Sequence, residues 1–368
     1  MFSVKKYFTG LKSFDWVLFG AVFLLVCFGL AAIYSISISS DQPDFGNFSK
    51  QIIFFLIGLG FLFSLSFFNY HYWHDYGLIF YFAAAGLLVL VLFFGLTVHG
   101  TSGWFNFFGF NFQPVELAKV ALIVVLARFL SQRASAVKEL KTFYLSAALA
   151  GWFFLLVILQ PDFGSAVILF LIWFFLVLLA GVNKKYLIIS ILILLFGAAL
   201  AWFFFFQDYQ RDRILTFLNP QADPYNRGYQ VRQAITAVGA GGLFGRGLGF
   251  GSQSQLKFIP ASQTDFIFAV IAEELGFLGV GLVLFFFFLL FYRLIRAAKL
   301  MRDNFSVFFI LGVSALLFSH LAINVGMNVG LAPVTGISLP FLSYGGSFLV
   351  ACLILIGVVE NMLIRNRG

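Results

Sequence analysis

The sequence predicts an all-α integral membrane protein of about ten transmembrane helices, with one long extracytoplasmic loop between the seventh and eighth. Three observations carry that reading. The 368 residues are 61% hydrophobic and only 10% charged, far from the balance of a soluble domain. Several apolar runs reach the roughly 20 residues that a helix needs to cross a bilayer. The polar breaks between them are short, except for one.

Reading apolar runs against polar breaks gives spans at about 15–37, 51–68, 77–98, 114–130, 142–159, 163–182, 186–206, 264–291, 306–329 and 343–364, in a single polytopic domain 1–368. The first run is too long for a signal-peptide core and lacks a small-residue exit, so it is expected to stay as an uncleaved span. Cys27 and Cys352 fall inside apolar runs, where a thiol acts as a small hydrophobe. The net charge of +8 is distributed unevenly. With both termini cytoplasmic, fifteen of the 23 Lys and Arg residues fall in inner segments, and Lys50 alone in the short outer loops. The basic balance therefore fixes orientation and calls for no nucleic acid.

The segment 207–263 is the one long connection, and long connections in compact proteins are usually functional or disordered. It is not of low complexity. Turn chemistry at Asn219-Pro220 and Asp223-Pro224, a short helix around Tyr229–Val238 and the run GAGGLFGRGLGFG at 239–251 predict a segment that folds back on the bundle. The glycine run lacks the Gly-Lys-Ser/Thr ending of a nucleotide-phosphate loop, which argues against nucleotide-driven transport. Arg211, Arg213, Arg227, Arg232, Arg246 and Lys257 place cationic groups at the outer surface. They are either solvated or suited to a pyrophosphate.

Charge inside a span marks a site or a compensating pair. The candidates are Glu116, Lys119, Asp162, Asp265, Glu273, Glu274 and Glu360. Glu116 and Lys119, three apart, share a helix face and can pair; Lys119, about 8 Å along the helix from Pro114, could instead reach an anion at the outer leaflet. Asp162 and Asp265 stand at outer helix starts, where a carboxylate commonly caps. Glu273 and Glu274 lie about 12 to 14 Å deeper, and their roughly 100° separation turns at least one of them toward protein. His320, Asn324 and Asn328 form one polar stripe on the ninth span, fit either for interhelical hydrogen bonding or for lining a cavity. His71, His74, His99 and His320 show no metal-ligand spacing; no cofactor is evident, and a divalent cation is possible but not readable from the residues.

Four motifs occur in order: FGFNFQPVELAKVALI at 108–123, LQPDFGSA at 159–166, RILTFLNPQADPYNRGYQVRQAITAVGAGGLFGRGLGFGSQSQLKFIPASQTDFIFAVIAEELG at 213–276, and NVGLAPVTGISLPFLSYGGS at 328–347. Together they resemble the shape, elongation, division and sporulation family. SQSQLKF and the short termini favour its elongation branch, RodA, over its division branch, FtsW. The resemblance implies a peptidoglycan glycosyltransferase that polymerises lipid II outside the cytoplasmic membrane, beside a class B penicillin-binding protein. It implies that Asp265 is the catalytic carboxylate. Trp104, Glu116, Lys119 and Asp162 match motif positions, and Arg213, Arg246 and Lys257 are candidates for holding the lipid pyrophosphate. Two positions depart from the family pattern: Ala261-Ser262-Gln263 precedes the Thr-Asp-Phe, and Gly103 precedes Trp104.

The chemistry needs a base, a cationic cradle for the leaving pyrophosphate and a groove for the lipid tail, and the activated donor needs no ATP. A flippase for a lipid-linked precursor, with Glu273, Glu274, Lys119 and the polar ninth span as its pathway, is one rival. A non-catalytic scaffold of cell-wall enzymes is the other.

Overall fold

The computed structural model describes residues 13–38, 43–98, 101–107, 110–204, 211, 215–217 and 227–367. In chain order the elements are α1 (Trp16–Ile38), α2 (Gly46–Phe67), the short α3 (His71–Asp75), α4 (Gly77–Phe94), β1 (Leu96–Val98), β2 (Thr101–Phe107), β3 (Phe110–Phe112), α5 (Pro114–Gln132), α6 (Leu140–Ile158), α7 (Phe163–Leu179) and α8 (Lys184–Phe204). There follow α9 (Arg227–Ala240), the single turn α10 (Ser252–Gln255), α11 (Ile267–Leu300), α12 (Asn304–Asn328) and α13 (Gly346–Arg367). A long helix stands on each of the ten predicted spans. Among the described residues, eight helices are long and apolar enough to cross a membrane. The other two are α5, which carries Glu116, Lys119 and Arg128, and α7, which has 17 residues.

The third predicted span ends early. Its helix stops at Phe94 because Gly95 turns extended, and the chain enters an antiparallel three-stranded meander, β1-β2-β3. Leu96 pairs with Trp104, and Phe105 with Phe112. The signal lay in FNFFGFNF, where Phe and Asn alternate about Gly109 with the period of a strand. Asn106 and Asn111 face each other, and Asn106 Nδ2 donates to Asn111 Oδ1 at 2.8 Å.

The eighth span also differs. α11 has 34 residues, about 51 Å at the helical rise, and so outruns the roughly 30 Å of hydrocarbon. It is broken at Gly276, whose φ of 65° and ψ of −164° only glycine adopts readily. A broken helix in hydrocarbon frees peptide groups that must find partners in protein. The glycine run supplies them. Arg246 N donates to Glu273 O at 3.0 Å and Gly247 N to Glu274 O at 2.9 Å. Phe277 N donates to Gly242 O at 2.9 Å and Leu278 N to Leu243 O at 3.1 Å. At Gly245, φ is 79° and a Cβ would stand 2.1 Å from Glu274 O, so backbone meets backbone where no side chain fits.

α5 is the buried centre, packed against α4, α6, α7, α12 and α13. One end of the bundle gathers residues expected inside. Arg293 pairs with Asp15, whose backbone N–H donates to Glu360 Oε2 at 2.9 Å. Burial, with the Asp303 carboxylate second, pushes the Tyr70 phenol up, and its hydroxyl donates to Asp303 Oδ1 at 3.3 Å. The opposite end gathers Asn47, Gln113, Asp162, Gln263 and Ser347. Both ends agree with an alternating, membrane-crossing chain.

Candidate active site

Asp265 lies at the start of α11, part-exposed, one residue before the N-cap position, Phe266. The cap is made from elsewhere: Asn328 Oδ1 accepts from Ala269 N at 3.1 Å, in the first turn of α11. Asn324 and Asn328 each donate through Nδ2 to the Asp265 carbonyl at 3.0 Å. The stripe on α12 is thus interhelical glue, and both amides are fully buried. Asn324 Nδ2 also donates to Ile337 O at 2.7 Å, which ties the outer loop after α12 to the same point.

The segment before Asp265 is fixed by residues the sequence reading passed over. Ser343 Oγ donates to Thr264 O at 2.5 Å and accepts from Leu339 N at 2.8 Å. Tyr344 N donates to Gln263 O at 2.8 Å, and Asn47 Nδ2 to Gln263 Oε1 at 2.7 Å. The unusual Ala261-Ser262-Gln263 is therefore held through Gln263 and its peptide group. Ser343 and Tyr344 lie in the SYGGS end of a motif already visible, so the pattern was on view although the partners were not.

Glu116 and Lys119 pair as their spacing predicts, Nζ to Oε1 at 2.9 Å, with both side chains almost wholly buried. Lys119 Nζ also lies 3.2 Å from His320 Nε2, whose ring stacks on Phe348 at 4.3 Å. An ammonium can only donate, so Nε2 accepts and the ring proton sits on Nδ1. From there it donates to Ser338 O at 3.0 Å. The ammonium is thus buried in the bundle, 5.1 Å from the centre of the Phe348 ring.

Asp162 caps α7: Oδ1 accepts from Ser165 N at 3.0 Å and Oδ2 from Ser165 Oγ at 2.8 Å. Gln113 Nε2 also donates to it at 3.3 Å, linking the starts of α5 and α7. Trp104 is half-buried on β2, and at Gly103 a Cβ would meet nothing closer than 3.5 Å. Glu273 and Glu274 serve the loop. Glu273 accepts from Gln253 N at 2.8 Å and Ser254 N at 3.0 Å, and Glu274 Oε1 from Ser35 Oγ at 2.7 Å and Gln255 Nε2 at 3.0 Å. Arg246 is exposed and donates to Ser252 Oγ at 2.9 Å; Lys257 is exposed; Arg213 lies outside the described residues. Among the described residues no group of three or more His, Cys, Asp or Glu is placed to hold a metal ion.

Fold and site define a polytopic membrane protein with a carboxylate and a buried Glu-Lys-His cluster joined through one outer loop. Residues 15–368 match the FtsW/RodA/SpoVE family, described as cell cycle proteins, and the chain belongs to that family. A relative from Geobacter sp. (strain M18), named "Probable peptidoglycan glycosyltransferase FtsW", is 35% identical over 364 residues, 97% of this chain and 98% of its own. Among solved structures, a chain from work on coordinated polymerization and crosslinking by a peptidoglycan synthase complex superposes with a TM-score of 0.82, at 30% identity over 96% of this chain and 98% of that one. RodA of Thermus thermophilus superposes at 0.72, with 29% identity over 96% and 97% of the two chains. The likenesses fall on both branches, FtsW by sequence and RodA by structure.

The buried pair yields a direct expectation. Removing one partner of a buried ion pair strands a charge and costs about 3–5 kcal/mol, whereas an apolar replacement of both is often near neutral. Lys119→Met should therefore lower the thermal midpoint of the purified protein in detergent well below that of Glu116→Leu/Lys119→Met. Equal midpoints for the single and double variants would show that the two residues do not depend on each other.

Proposed function

We propose that this chain is a peptidoglycan glycosyltransferase that polymerises lipid II at the outer face of the bacterial cytoplasmic membrane. The observation that carries the reading is the setting of Asp265: a part-exposed carboxylate at a helix start whose capping is done by another residue, so the acid is not needed as a cap. Its proposed role is general base. It takes the proton of an acceptor-sugar hydroxyl as that oxygen bonds to the anomeric carbon of the donor, and the bond from that carbon to the lipid pyrophosphate breaks. Arg246 and Lys257, exposed on the outer loop, are suited to the leaving pyrophosphate, with Arg213 as a further candidate. The buried Glu116–Lys119–His320 cluster fixes the wall behind the site. A class B penicillin-binding protein that crosslinks the product strands is the proposed partner.

The bonds of Glu273 and Glu274 to the segment 252–255 count against the flippase reading, which needs these two carboxylates together with Lys119 and the polar ninth span as its pathway. The scaffold reading predicts that Asp265 is dispensable. Purified protein with lipid II separates them: Asp265→Asn, which keeps shape but cannot take a proton, should lose roughly 100- to 10,000-fold in rate while still assembling in the membrane. Near-normal glycan synthesis by that variant sinks the catalytic role.

The orientation, with both termini and segments 131–141 and 292–305 cytoplasmic, rests on the basic residues of the inner segments. A cysteine at the exposed Lys257 should react with an impermeant reagent on intact cells; reaction only after lysis overturns the topology. Within the family, SQSQLKF at 252–258 supports the elongation role. Expression in cells depleted of their elongation member should then restore rod shape, and rescue of septation alone would place the chain in the division branch.

A further inference from the structure

Asn324 spends both of its side-chain N–H donors on two segments that are distant in sequence. One goes to Asp265 O at 3.0 Å, at the head of α11, and the other to Ile337 O at 2.7 Å, in the outer loop. These two segments flank the carboxylate itself. At Gly336, the neighbour of Ile337, a Cβ would stand 3.7 Å from Asp265 Oδ2, so the loop backbone runs along the acid. One residue further, Ser338 O accepts from His320, which in turn accepts from Lys119. The amide is 0% exposed, and Asn328 Nδ2 holds the Asn324 carbonyl at 2.8 Å, so the side chain springs from a fixed point.

From this geometry we infer that Asn324 is the positioning residue for Asp265: its single amide sets the distance between the carboxylate and the outer-loop wall it faces, and thereby the reach of the acid toward the acceptor hydroxyl. The inference rests on Asp265 being the base. Asn324 touches neither sugar; it acts through two peptide carbonyls. Replacing it by Ala removes the bridge between the two segments: the Asp265 carbonyl keeps only Asn328, and the Ile337 carbonyl loses this donor. Asn324→Asp is harsher, since a carboxylate oxygen in place of Nδ2 then faces two carbonyl oxygens. Misplacement of a reacting group by about 1 Å can cost on the order of 100-fold in rate without weakening substrate binding.

The test is steady-state lipid II polymerisation by the purified full-length protein, with thermal midpoints measured on the same preparations. Asn324→Ala should fall roughly 10- to 100-fold in kcat with KM for lipid II within about twofold, because reach rather than binding is lost. Asn324→Ser, which retains one donor, should recover part of that loss. In an Asp265→Asn background the Asn324→Ala change should add little, since two residues acting as one unit are not additive. A drop in midpoint or folded yield with kcat per folded molecule unchanged makes Asn324 merely structural and overturns the inference. So does a rise in KM at constant kcat. If instead Asp265→Asn itself polymerises normally, the catalytic reading has failed, whereas an inactive Asp265→Asn beside a fully active Asn324→Ala sinks this inference alone.

Discussion

Hydrocarbon offers no hydrogen-bond partner, and the rest of this structure follows from how the chain meets that constraint where α11 breaks. At Gly276 the helix gives up its regular ladder. Four backbone bonds from the glycine run, to residues 273, 274, 277 and 278, replace what is lost. Those bonds require bare backbone at Gly245. They draw the long outer loop down beside α11, where Glu273 and Glu274 seize its next turn. The chain then climbs back to the outer end and delivers residues 261–266 to the bundle from a fixed starting point. The position of Asp265 is thus set from below by the helix break and from the side by α12.

The intramembrane polar residues divide by the work they do. Glu116, Lys119 and His320 form one chain in which the lysine donates to both neighbours, and the set leans on the ring of Phe348. Asn324 and Asn328 reach mainly peptide groups, with one side-chain bond between the two amides. The two amides hold peptide carbonyls, whereas the carboxylates of Glu273 and Asp162 hold peptide N–H groups. Asp162 performs a third task, joining two helix starts through Ser165 and Gln113.

Much of this was legible in the residues. Apolar run length located ten helices, since each crossing needs about 20 residues, although α7 has 17 and α11 has 34. Three-residue spacing foretold the Glu116–Lys119 pair, because it depends on one helix alone. The meander at 96–112 was missed because Leu96, Thr97 and Val98 prolong an apolar run, and run length cannot say where a helix yields to a strand. The roles of Glu273 and Glu274 were hidden for a different reason. Their loop partners lie 19 to 20 residues upstream, on a return path that depends on a helix break invisible to hydropathy, and Ser35, the other partner of Glu274, lies 239 residues away on α1. The second partner of Lys119 was likewise beyond reach, because His320 stands 201 residues away on another helix.

The contacts around Asp265 also have a consequence for how such a protein is made. Spans enter the membrane from the amino end, yet the grip on residues 263–265 comes from Asn324, Asn328, Ser343 and Tyr344, 59 to 81 positions later or nearly so, and from Asn47, 216 positions earlier. A chain arrested after its eighth span therefore holds its acid without the walls that aim it. The last two spans and the loop between them supply most of the contacts that hold residues 263–265, so the setting of Asp265 is completed only by the end of the chain.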